Sequence, residues 1–166
     1  MSLNGSLLSG LVIGLGSGYL IARLLSSSAS GVATIDEGSV DEGGYPLSIE
    51  EYKMVLVVRT DLHMERGKAA AQCAHAAVAC YKASCKSSPA AVRLWEVAGQ
   101  PKIALKTDSE ESLELLYAKA LSLNITARII HDAGRTQVAP NTATVIGIGP
   151  APKSLIDQVT GSLKLY

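Results

Sequence analysis

Residues 54–59, MVLVVR, limit what this chain can build more than any other stretch. Five consecutive apolar residues of strand-forming type, with no polar alternation, need cover on both faces. Such a strand belongs inside a sheet with helices above and below it. Residues 102–106 (KIALK), 125–130 and 144–148 read as three more strands, and residues 67–86, 89–97 and 108–123 read as helices between them. Ser88 and Pro89 suit the cap and first turn of the second helix, which Gly99 stops, and Trp95 within it is expected in the core. Asp108 followed by Glu111 resembles a capping box for the third helix, and Asn124 suits its end. Its expected buried stripe is Leu113, Leu116, Tyr117, Ala120 and Leu121. Between the third and fourth strands there is only the polar loop HDAGRTQVAPNT, so those two strands are expected to pair antiparallel. A last helix opens at Pro150 and Pro152, turns Leu155, Ile156 and Val159 inward and ends at Gly161. The expected fold is α/β: a three-layer α/β/α domain over residues 52–166 around a mixed four-stranded sheet.

The stretch after the first strand carries a chemical signal. In GKAAAQCAH, residues 67–75, the polar side chains of Lys68, Gln72 and His75 fall at i, i+4 and i+7 and share one helix face. Ala70, Cys73, Ala74, Ala77 and Val78 lie opposite and are expected to press the helix closely against the sheet. A lysine in a first turn opposes the helix dipole. With Gly67 before it, the ammonium and the open backbone N–H groups suit an arriving anion. A solvated stripe on a surface helix has the same spacing, so this segment alone does not decide between the two.

The formal net charge of zero hides an asymmetry. Residues 53–166 hold fourteen Lys and Arg against nine Asp and Glu, whereas residues 36–51 hold six acids and no base. The C-terminal part therefore suits a polyanionic partner, without the charge density of a dedicated nucleic-acid arm. The chain has no Phe and its Tyr residues are scattered, which argues against a general RNA-binding module built on stacking aromatics. Cys73, Cys80 and Cys85 form no CxxC pair and read as reduced thiols, and His63, His75 and His131 show no metal-ligand spacing.

Residues 1–22 carry no charge, and residues 7–22, closed by Arg23, are just long and apolar enough to span a bilayer. No basic region precedes them as in a secretory signal, and Arg23 on the far side favours a cytosolic position for the domain beyond it. Gly10, Gly14 and Gly18 repeat at the spacing that lets membrane helices approach closely. Residues 1–25 are thus expected to be a membrane anchor or targeting segment, with the modest apolarity of a mitochondrial outer-membrane span. Residues 26–51, rich in Ser, Gly and acids, are expected to be a flexible linker.

A second chemical candidate lies after the third strand, where Asp132, Arg135, Thr136, Asn141, Thr142 and Thr144 crowd a strand end, the usual place for ligands in open α/β sheets. Taken together, MVLVVRTDLHMERGKAAAQCAHAAVACY and DAGRTQVAPNTATVIGIGP resemble the type 2 peptidyl-tRNA hydrolase family of archaea and eukaryotes. The likeness runs over residues 53–166. It implies a mixed four-stranded sheet flanked by helices, a homodimer, and hydrolysis of the ester that joins a stalled peptide to tRNA. Lys68, Gln72, His75, Asp132, Thr136 and Thr144 each match a position of that family's proposed site. A membrane anchor is something some eukaryotic members carry.

Ester hydrolysis asks for a positioned water, a base or proton relay, and a donor for the oxyanion. On this reading Asp132 orients or deprotonates water, directly or through the hydroxyl of Thr136 or Thr144. Lys68 meets the developing negative charge or the terminal phosphate and ribose of the tRNA. Gln72, His75, Arg135 and Thr142 contact the substrate. An ester is already activated, so no metal or organic cofactor is required. The alternative from another class is a membrane-tethered adaptor of the same fold that acts by binding a protein, and it would have no use for the polar constellation.

Overall fold

The computed structural model describes residues 50–134 and 137–166. The expected anchor, nearly all of the linker, Arg135 and Thr136 lie outside the described residues. Strand β1 (Tyr52–Arg59) is buried at every position, as its apolar run demands. The charged residues near its two ends are paired: Lys53 reaches Asp157 at 2.6 Å, and Arg59 forks onto Asp61 and also bonds Glu110 at 2.7 Å. A buried charge is tolerated only with such partners.

After β1 come α1 (Arg66–Ser87), α2 (Pro89–Val97), β2 (Lys102–Thr107), α3 (Glu110–Ser122), β3 (Ala127–His131), β4 (Ala143–Pro152) and α4 (Lys153–Thr160). The sheet order is β2-β1-β4-β3. β1 runs parallel to β2, and β4 pairs antiparallel with both β1 and β3, so the sheet is mixed as expected. Helices α1 and α2 pack together on the sheet, as do α3 and α4. Among the described residues no helix is long and apolar enough to cross a membrane. The chain enters the domain held rather than loose: Glu51 O accepts from Lys153 N, and the Glu50 carboxylate accepts from Ser154 N and Oγ at the start of α4.

Several boundaries differ from the sequence expectation for local reasons. Helix α3 is capped by Ser109, whose Oγ accepts from Ser112 N, and not by Asp108 one residue earlier. Pro150 does not open the last helix. β4 continues to Pro152 because residues 151 and 152 still pair with β1, and α4 begins at Lys153. β3 starts at Ala127, two residues later than expected, and Leu121 is exposed rather than part of the α3 stripe.

The largest correction concerns α1. Its buried residues are Ala69, Gln72, Ala76, Cys80 and Ser84, while Ala70, Ala74 and Val78 are exposed. Small residues surround this helix on all sides, so apolar contrast says little about which face goes in. The close approach itself is real and depends on Gly147 of β4. A Cβ there would stand 2.7 Å from Cys80 Sγ and 3.1 Å from Ala76 O, so a side chain would force the helix off the sheet. That contact seats α1 over β4 and turns Gln72 inward beside the start of β4.

Candidate active site

The N-terminal half of α1, the end of β3 and the start of β4 meet around Asp132, the residue after the last of β3. Its backbone closes the neck of the next loop, since Asp132 N donates to Thr142 O and Asn141 N donates to Asp132 O. Its side chain is buried and accepts three hydrogen bonds, which leaves one acceptor position on Oδ2. Oδ1 accepts from Lys68 Nζ at 2.8 Å and from Gln72 Nε2 at 2.9 Å, and Oδ2 accepts from Gly134 N at 2.8 Å. The Lys68 ammonium first, and the Gly134 N–H next, hold the Asp132 carboxyl below the ordinary carboxylate value. Gly134 is required here, because φ is +73° and a Cβ would lie 2.4 Å from the Pro140 ring.

Behind this pair stands Thr144, wholly buried, with its hydroxyl 2.8 Å from Gln72 Oε1 and 3.1 Å from Ile130 O. A carboxylate only accepts, so the Gln72 amide must turn its nitrogen to Asp132 and its oxygen to Thr144. The result is a directed chain in which Thr144 orients Gln72, and Gln72 with Lys68 holds Asp132. Strand pairing shifts register between Ile130 and His131, which places Thr144 where β4 is irregular.

These residues line a cleft of about 630 Å³, whose walls are Lys68, Ala71, Gln72, His75, Ile130, His131, Asp132, Ala133 and Gln137. Lys68, Gln72 and Asp132 are thus brought into direct contact, and His75 stands exposed on the wall without a bond to them. Thr144 reaches the cleft only through Gln72. Thr142 turns its hydroxyl to Ala139 O at 2.8 Å and so shapes its own loop. Arg135 and Thr136 belong to the same loop but lie outside the described residues. Sequence reasoning passes over His131 and Gln137. The Gln137 side chain accepts from Glu65 N at 3.1 Å, tying the loop to the entrance of α1, and no spacing rule distinguishes it within the motif. Among the described residues no cluster of His, Cys, Asp and Glu is able to hold a metal ion.

A buried carboxylate fixed beside an ammonium at the mouth of a cleft can orient a water and offset negative charge developing nearby. Comparison with known proteins bears on which reaction this is. The family model described as Peptidyl-tRNA hydrolase PTH2 matches residues 52–166. A Schizosaccharomyces pombe protein named probable peptidyl-tRNA hydrolase 2 is 55% identical over 141 residues, 85% of this chain and 69% of that one. The Homo sapiens protein named peptidyl-tRNA hydrolase 2, mitochondrial, is 56% identical over 116 residues, 70% of this chain and 65% of that one. The match therefore spans about two thirds of these eukaryotic relatives. An archaeal relative from Sulfurisphaera tokodaii, named peptidyl-tRNA hydrolase, is 51% identical over 117 residues, 68% of this chain and 97% of that one.

Proposed function

The chain belongs to the peptidyl-tRNA hydrolase PTH2 family, and from that premise we propose that the cleft around Asp132 hydrolyses the ester between a peptide and the terminal ribose of tRNA, recycling the tRNA. The observation that carries the mechanism is the chain Thr144–Gln72–Asp132–Lys68. Asp132, held as a carboxylate, accepts a hydrogen bond from the attacking water and aims it at the ester carbonyl. The water oxygen bonds to the carbonyl carbon and the carbonyl oxygen becomes an oxyanion, which the Lys68 ammonium stabilises. The oxyanion then re-forms the carbonyl as the carbon–ribose oxygen bond breaks, and the water proton, taken up by Asp132, passes to the ribose oxygen to give the free hydroxyl. His75 lines the path of the substrate, and Arg135, Thr136 and Thr142 are assigned to substrate contact and water positioning. Thr144, whose hydroxyl bonds Gln72 and the Ile130 carbonyl, is a positioning residue. A protein-binding adaptor would gain nothing from keeping this chain of bonds buried and satisfied.

Release of free tRNA from a purified peptidyl-tRNA by the full chain tests the assignment; a protein that leaves the ester intact sinks it. Thr144→Val separates positioning from binding. Without its hydroxyl, the buried Gln72 oxygen loses a donor, at a cost of about 1–3 kcal/mol, and the amide is free to flip away from Asp132. The expected result is a lower Tm together with a fall in kcat on the order of tenfold at nearly constant KM. Equal kcat with a lower Tm would make Thr144 purely structural.

The same reading includes a homodimer and attachment of residues 1–25 to the mitochondrial outer membrane with the domain in the cytosol. What supports the attachment is the uncharged stretch ending at Arg23, together with mitochondrial in the names of mammalian relatives. Residues 1–30 fused to a reporter should place it on mitochondria, resistant to carbonate and open to added protease. A diffuse reporter removes the anchor, and a protease-protected one indicates import. Sedimentation of residues 50–166 at a single-chain mass would remove the dimer.

A further inference from the structure

We propose that the tRNA body lies along the groove between α1 and the edge strand β3, its phosphates held by Lys82, Lys86 and Arg128. This rests on the hydrolase reading and extends its site. Beyond the catalytic cleft, a second depression of about 470 Å³ is lined by Lys82, Lys86 and Arg128 with small residues and Tyr81. Both depressions are lined by residues of α1 and β3, the second further along the helix. Residues two apart on a strand share a face, so Ile130 in the first wall and Arg128 in the second both point to α1. From Lys68 to Lys86 the helix advances about 27 Å at its usual rise, long enough to track several nucleotides away from the ester. β3 ends the sheet, so the groove is open on its outer side.

Charge selects the occupant. The 22 residues of α1 include no Asp or Glu, and neither do the five of β3. Glu96 on α2, the carboxylate facing α1 from that side, is held by the Tyr81 hydroxyl at 2.8 Å. A depression walled by three exposed cations and no anion, on the same helix as a site that takes the end of a nucleic acid, fits a phosphodiester backbone. Its one aromatic side chain, Tyr81, is tied by its hydroxyl to Glu96 and rests against Trp95, so the contact is to backbone and is blind to sequence.

The test uses the full chain and the triple variant Lys82→Ala, Lys86→Ala, Arg128→Ala, all exposed positions outside the catalytic bonds. Binding of deacylated tRNA is measured from low to moderate salt, beside hydrolysis of peptidyl-tRNA and of a peptidyl ester on a short oligonucleotide ending in CCA. The expected variant binds tRNA at least tenfold more weakly, with a log–log salt slope reduced by about two, since each lost phosphate contact removes roughly 0.7–0.9. Its KM for peptidyl-tRNA rises while the short ester is cleaved at the parental rate. Unchanged tRNA affinity and slope overturn the inference, and so does an equal loss on both substrates. Loss of binding to anionic vesicles with tRNA binding intact would assign the groove to a membrane surface and also overturn it. If the parent cleaves neither substrate, the hydrolase reading fails, while the binding measurement still judges the groove.

Discussion

Asp132→Ala is expected to lower kcat on peptidyl-tRNA by at least about 10²-fold, the usual scale for losing a positioned acid–base partner. The side chain is buried at the meeting point of α1, β3 and β4, and its loss leaves Lys68 as a buried ammonium without this partner and the Gln72 amide without its acceptor. Asp132→Asn is the sharper variant. It preserves volume, but an amide has only one acceptor oxygen and no charge, so it cannot receive Lys68 and Gln72 on one atom and Gly134 on the other. Both variants should therefore lose turnover, with Asn retaining more of the fold.

The direction of the Asp132 shift sets the pH dependence. Its folded value is depressed below that of an ordinary aspartate, chiefly by the Lys68 ammonium. The stabilisation is therefore present above the unfolded value and is lost as pH falls through the lower folded one. Turnover limited by Asp132 ionisation should be level across neutral pH and decline only below the ordinary carboxylate range. An acid limb near the ordinary histidine range that disappears in His75→Gln would move the proton-accepting role to His75.

Much of this architecture is legible because strand and helix signals are strong. The buried MVLVVR run, the missing helix between β3 and β4, and the Asn124 turn all mark their elements in the sequence. The site is legible as two motifs, yet how they join is not. Gln72 has the spacing of a surface polar residue on a stripe with Lys68 and His75, but it is on the buried side because Thr144 and Asp132 satisfy both ends of its amide. Thr144 is legible as part of the loop motif, but its partner Gln72, on a helix far away in the chain, is not. An alanine-rich helix offers too little contrast to show which face is inside. That decision comes from Gly147, far along the chain from the helix it admits. Long-range steric fit of this kind leaves no periodic trace in a single chain.

Lys68→Ala is expected to match the loss from Asp132→Ala, and the two losses should not add. Lys68 Nζ and Asp132 Oδ1 are 2.8 Å apart, and both side chains are nine-tenths buried, so either substitution breaks the same unit. The double variant should therefore be no slower than the worse single one by more than a few fold, as is usual for residues that act together. Removing the ammonium also removes the largest influence that depresses the Asp132 carboxyl. The acid limb of any residual activity must then shift upward, toward the ordinary carboxylate value. Lys68→Arg keeps the charge but replaces a compact ammonium with a longer planar fork that moves the charge away from its place beside Asp132, so it should recover stability better than turnover. Near-parental kcat in a folded Lys68→Ala, or fully additive losses in the double variant, would remove Lys68 from the reacting centre and leave it as an anchor for the tRNA alone.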